Sequence, residues 1–256
     1  MLTEIKNELL RLQEQHEIII LFAVESGSRA WGFASTNSDW DVRFIYVHKP
    51  EWYLSIDEKK DSMDEILPND IDLAGWELKK ALRLFRKSNP PMLEWLKSPI
   101  VYMKQFSTAD TLIDLSKAYF NPKSCIYHYL QMAKGNFREY LHRDMVRVKK
   151  YFYVLRPILA CDWIKQTNTM APMEFHKLLE TQVQDKRVKS AIENLLNRKI
   201  AGVELQEEPR IDILNEFLDD KISFYDHFVK SVNQNTQPDT DKLNTLFRHT
   251  LDEVWS

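Results

Sequence analysis

Asp39 and Asp41 stand two residues apart in DWDVRFIYV (39–47), whose alternation of polar and apolar residues predicts a β-strand. Side chains at i and i+2 leave a strand on the same face, and Trp40 between them points the other way, toward a core. Two carboxylates side by side repel, and one tends to protonate unless a cation lies between them. The pair is therefore a candidate site for a divalent metal. Mg2+ takes a few carboxylate oxygens together with phosphate oxygens and water. Asp72 is a third acid, set between Ile71 and Leu73 in IDLAGW (71–76), a second short strand. A carboxylate among apolar neighbours is costly to ionise alone. A metal shared with Asp39 and Asp41 would resolve that cost. Asp70 is the rival for this role; Asp72 is preferred because both its neighbours are apolar.

An isolated D-x-D is ordinarily a turn acid and an edge-strand acid with no chemistry attached. The upstream context changes that. EIIILFAVES (17–26) is a nearly continuous apolar run rich in β-branched residues and predicts a buried strand. It ends at Gly27-Ser28, where a helix begins. A strand-Gly-Ser-helix junction offers backbone N–H groups and a hydroxyl to a phosphate.

Around these residues the sequence predicts a helix over 2–15, weaker strands at 53–56 and 61–67, and an amphipathic helix over 77–88 stopped by Asn89-Pro90-Pro91. From Ser107 onward only helical periodicity is visible. The expected helices are 108–119, 123–143, 145–166, 172–183, 186–200, 211–231 and 240–255, with a local kink at Gly135-Asn136. The fold class is α+β: an α/β unit over 1–105 and an α-helical domain over 106–256.

The composition bounds the rest. Thirteen Phe, ten Tyr and seven Trp in 256 residues exclude a disordered chain. The net charge of −3 excludes a polycation, so any nucleic-acid contact must come from a local patch. Cys125 and Cys161 lie in apolar, helix-like surroundings, which suits a reduced compartment better than a disulfide framework. With no signal-peptide core and no membrane-length apolar run, the expectation is a soluble, cytoplasmic protein. The histidines show no zinc spacing.

The pattern E-S-G-S-R-A-W-G-F-x-S-x-x-S-D-W-D-V-R-F (25–44) resembles the DNA polymerase β-type nucleotidyltransferase superfamily. More narrowly, N-P-P-M-L-E-W-L-K-S-P-I-V-Y (89–102) and K-K-Y-F-Y-V-L-R-P (149–157) extend the resemblance to the RNA repair pathway polymerase β family of bacteria and phages. The resemblance implies a polymerase β-like catalytic domain with a small mixed sheet, and a helical domain closing a cleft over NTP. Gly27 and Ser28 would hold the triphosphate. Asp39 and Asp41 would bind two Mg2+ (or Mn2+) ions, and Asp72 would bind the catalytic one and help deprotonate the attacking hydroxyl. The reaction would be in-line attack on the α-phosphate with loss of pyrophosphate. Arg29, beside the phosphate loop, is either a surface salt bridge or a clamp on the β- and γ-phosphates.

In related nucleotidyltransferases a helix after the catalytic unit supplies a Lys and often a Tyr. Lys149, Lys150 and Tyr151 are the corresponding nucleotide-contact candidates, with Tyr151 alternatively a packed aromatic. They lie in a basic stretch, 134–156, which holds Lys134, Arg138, Arg143, Arg147, Lys149, Lys150 and Arg156 against only Glu139 and Asp144. The stretch is either a solvated face or a contact for an RNA acceptor, with Tyr140 or Tyr153 stacking on a base. The expected activity is nucleotide transfer to an acceptor hydroxyl, with RNA first. Protein nucleotidylation and a non-catalytic nucleotide- or RNA-binding module are the alternatives.

Overall fold

A computed structural model describes residues 1–202, 207–232 and 239–256. The first helix, α1 (Leu2–His16), turns Ile5, Leu9 and Leu12 inward and ends at Glu17, whose left-handed backbone (φ 49°) redirects the chain. Strand β1 (Ile18–Glu25) is buried along almost its whole length. A single helical turn, α2 (Gly27–Ala30), follows it, and β2 (Trp40–His48) returns antiparallel to β1.

The weak strand expected at 53–56 does not form; a one-turn helix, α3 (Pro50–Tyr53), ends there in a turn. Pro50 at its start favours the helical φ and has no N–H to give a sheet. Then come β3 (Ser62–Ile66), β4 (Ile71–Glu77), α4 (Leu78–Arg86), α5 (Pro90–Trp95), β5 (Val101–Lys104) and α6 (Thr108–Tyr119). The buried Glu77 caps α4 by accepting from the backbone N–H groups of Lys79 and Lys80.

The sheet runs β3-β4-β2-β1-β5. Only β2 and β4 pair in parallel; the other pairs are antiparallel. Val42, Phe44 and Tyr46 of β2 face α1 in the main core, with Ile71 and Leu73 of β4 beside them. Phe44 fits because its partner is Gly75, where a Cβ would lie 2.2 Å from the ring. Alternation then sends Asp41, Arg43 and Asp72 to the opposite face. Farther along β4 that face is covered, where Trp76 stacks on Trp95 of α5 at 3.9 Å between ring centroids.

The second half of the chain contains α7 (Pro122–Asn136), a π-helical turn (Phe137–Leu141), β6 (Met145–Arg147), α8 (Lys149–Thr167), α9 (Phe175–Gln182), α10 (Lys186–Ile200), β7 (Glu207–Pro209), α11 (Asp212–Ser231) and α12 (Thr240–Trp255). Two expectations are corrected here. The helix expected over 145–166 starts only at Lys149, because Met145–Arg147 pairs antiparallel with Glu207–Pro209. The helix expected over 123–143 passes into the π turn just after Gly135-Asn136.

The chain forms two compact units that are not consecutive halves. One comprises Met1–Ala30, Asp39–Tyr119 and Gln237–Ser256; the other comprises Trp31–Ser38 and Phe120–Thr236. Packing explains why a single boundary near 105 does not describe this. Thr108 on α6 meets Thr250 on α12 through a buried 2.8 Å hydroxyl contact, and Phe247 packs edge-on against Tyr53. In the other unit, Phe33 packs on Phe152 (4.8 Å) and Phe175 (5.4 Å), and Trp31 O accepts from Phe175 N. No helix among the described residues is long and apolar enough to cross a membrane.

Candidate active site

The site begins at the end of β1. Gly27 has φ +60°, and a Cβ there would lie 2.0 Å from Asp41 Oδ2. Both the backbone and the space require glycine. The N–H of Ser26 donates to Asp41 O (2.8 Å), and the N–H of Asp41 donates to Glu25 Oε1 (3.0 Å). The Gly-Ser junction is thus fastened to the second acid of the D-x-D along both main chain and side chain. Ser28 follows, half-buried, in α2.

The parallel pairing of β2 and β4 sets Asp41 directly beside Asp72. Between their carboxylates lies Arg43, a residue outside every candidate set drawn from the sequence. Its Nη2 donates to Asp41 Oδ1 (2.9 Å) and to Asp72 Oδ2 (2.8 Å). Its Nη1 donates to the carbonyls of Asp72 (2.8 Å) and Val42 (3.2 Å). Burial pushes the Asp41 carboxyl above the usual range; the charge of Arg43 pulls it down, and Asp72 and Asp39 push it up again.

Asp39 is exposed and lies one residue ahead of β2. Arg43 bridges Asp41 and Asp72 and leaves Asp39 to one side, yet the Asp39 charge is felt at Asp41. Asp70 is exposed in a left-handed turn (φ 60°) just before β4, and its carbonyl accepts from Trp40 N at 2.7 Å. Arg29 lies over the Trp40 ring at 3.7 Å and donates from Nε to Asp39 O at 3.2 Å. Gly27, Ser28, Arg29, Asp39, Asp41 and Asp72 therefore belong to one unit and one end of one sheet.

The donor set suits Mg2+ or Mn2+ in kind, being hard carboxylate oxygens already grouped around a positive charge. As they stand, no three Asp, Glu, His or Cys side chains among the described residues converge as a ready metal cage. The acids close on a guanidinium instead.

Lys149, Lys150 and Tyr151 belong to the other unit, in the first turn of α8. Lys149 and Lys150 are half-buried. Lys150 Nζ lies over Tyr140 (3.8 Å) and within 5.0 Å of the Tyr153 ring centre, and burial lowers its pKa. Tyr151 is a packed aromatic with no exposed surface. Its hydroxyl accepts from Ile211 N (2.8 Å) and donates to Asn215 Oδ1 (2.6 Å). Arg156 does not share the basic surface. It is buried because α8 is enclosed from Val154 through Cys161, and its guanidinium lies 4.8 Å from the Trp31 ring centre. Lys134 is paired with Asp226 at 2.6 Å, while Arg138 and Arg143 are exposed.

A family model described as the RNA repair pathway DNA polymerase beta family matches residues 1–249. The chain belongs to that family. A similar relative, from Bacillus subtilis (strain 168), is 47% identical over 249 residues, covering 97% of this chain and 96% of that protein, which is described as uncharacterized protein YcgL. A solved nucleotidyltransferase-like protein from Exiguobacterium sibiricum 255-15 aligns at 8% identity with a TM-score of 0.32, over 88% of this chain and 74% of that chain. So slight a likeness carries no argument.

Two residues of this family member escape a reading of motifs alone. Arg43 had a signal: it continues the period-two face of Asp39 and Asp41. Glu25 closes an apolar strand, and it is fully buried behind Asp41. Tyr102 Oη donates to its Oε2. Burial pushes the Glu25 carboxyl up to about 7, against the hydrogen bonds it accepts from Tyr102 and from Asp41 N. A cavity of about 410 Å³ beside Phe44, Tyr46, His48 and Trp52 lies on the opposite sheet face, and none of the six site residues lines it.

Proposed function

We propose that this chain transfers a nucleoside monophosphate from an NTP to an acceptor hydroxyl, with RNA as the acceptor. The observation that carries the reading is the placement of Asp41 beside Asp72 on one sheet face, with the Gly27 turn packed against Asp41. Membership of a polymerase β family supports the same chemistry.

In this reading Gly27 and Ser28 hold the triphosphate with main-chain N–H groups and a hydroxyl. Asp39, Asp41 and Asp72 hold Mg2+ or Mn2+, which when bound would supply the charge that stabilises the attacking and leaving oxygens. Asp72 takes the proton of the acceptor hydroxyl. The acceptor oxygen bonds to the α-phosphorus as the α–β bridging bond breaks, and pyrophosphate leaves. Arg29, held against Trp40, steadies the β- and γ-phosphates. The buried thiols Cys125 and Cys161 suit a cytoplasmic setting.

Support for RNA comes from the description of the family and from exposed Arg138 and Arg143 in the same basic stretch of sequence as Tyr140 and Tyr153, a combination that suits a single strand. The test is incubation with each α-labelled NTP, Mg2+ or Mn2+, short RNAs and cell extract, resolved on denaturing gels. Label in RNA is expected. Label in a protein band would favour protein nucleotidylation. No label, while a known transferase run alongside labels its acceptor, would reject the activity.

A further inference from the structure

One nitrogen, Arg43 Nη2, touches both carboxylates of the acid pair. That is the position a shared divalent ion would take, and the two cannot hold it together. A guanidinium nitrogen sits 2.8–2.9 Å from these oxygens, whereas Mg2+ binds oxygen at about 2.0–2.1 Å. Arg43 is no loose surface cation. Its side chain is 18% exposed, and Nη1 is tied to two backbone carbonyls. A guanidinium anchored by one nitrogen can release the other without leaving the site. Once released, that nitrogen needs a new acceptor, because an unpaired charge in a half-buried place is costly. A phosphate suits a guanidinium fork well.

We propose that Arg43 is a resident counter-ion that a divalent ion must displace, so that metal binds Asp41 and Asp72 weakly until an NTP offers the released guanidinium a phosphate. The proposal rests on the reading of these acids as the metal site. It accounts for the guanidinium that bridges the two side-by-side carboxylates. It also makes metal entry conditional on substrate.

Mn2+ binding measured by calorimetry on the whole protein tests it. Without nucleotide, Arg43→Gln should bind Mn2+ roughly tenfold or more tighter than wild type, the loss of a charge-assisted competitor. With a non-hydrolysable NTP analogue, wild type should gain much more affinity than Arg43→Gln, narrowing the gap. A structural role alone would not raise affinity on removal. Equal or weaker Mn2+ binding by Arg43→Gln without nucleotide overturns the proposal. Should Arg43→Gln fail to fold, wild type labelled with 15N-arginine decides the matter. The Arg43 Nε signal, assigned with Arg43→Lys, should move with Mg2+ and the analogue together and stay put with Mg2+ alone. A full shift with Mg2+ alone overturns it. Asp41→Asn and Asp72→Asn separate this from the underlying reading: if neither weakens wild-type Mn2+ binding, the metal site itself is elsewhere and both fall.

Discussion

Gly27 and Asp41, fourteen positions apart in sequence, are in contact so close that no side chain fits at the first without moving the second. The turn that would meet phosphate and the acid that would meet metal are thus one mechanical piece. Gly27→Ala should lose about 1 kcal/mol to the left-handed backbone alone, and more to the collision with Asp41 Oδ2. A denaturant melt and the labelled-NTP assay should both show a loss. Ser28→Ala should lower transfer with an unchanged melt. A wild-type melt for Gly27→Ala would remove this account of the turn.

Asp41→Asn keeps the shape and deletes the charge. It relieves repulsion from Asp72 and Asp39 while taking one partner from Arg43. The melting temperature should therefore change little, and transfer should fall roughly a hundredfold or more. Full activity in the folded variant would show that the acids are not the reacting centre.

Tyr151→Phe separates a packing role from a substrate role. The lost hydroxyl leaves Asn215 Oδ1 and Ile211 N without a partner they now have, at a cost of about 1–2 kcal/mol in the unfolding free energy. KM for NTP should stay as it is. A higher KM with an unchanged melt would restore Tyr151 as a nucleotide contact.

His48 gives a pH signature away from the site. Its ring stacks on Trp52 at 4.2 Å, and burial, aided by Lys59 and His16, lowers its pKa to about 4. A His free in the unfolded chain titrates near 6.5, so between about 6.5 and 4 the unfolded state binds the extra proton. Stability should fall as pH drops through that window. His48→Gln should lose less than wild type over the same range in parallel denaturant melts at several pH values.

Much of this arrangement is legible in the amino-acid sequence, for identifiable reasons. The apolar run at 18–25, the alternation from Trp40 and the helices 186–200 and 240–255 carry their periods openly. Short elements do not. Met145–Arg147 has three residues, too few to show a period, and its partner at Glu207–Pro209 is far along the chain. The adjacency of Asp41 and Asp72 depends on a parallel register that no local pattern encodes. Arg156 reads as one more cation in a basic stretch, because the enclosure of its helix from Val154 through Cys161 is a tertiary fact.

The last helix also sets a timetable. Thr108 meets its buried partner Thr250 only after 142 more residues have been made. A growing chain therefore displays Gly27, Asp41 and Asp72 long before α12 exists to pack against α4 and α6. The segment 120–236 has to leave the ribosome first, and the unit that holds the sheet is finished last although it was begun first. A chain cut before Thr240 would keep every residue of the candidate site and lose the helix that closes its unit.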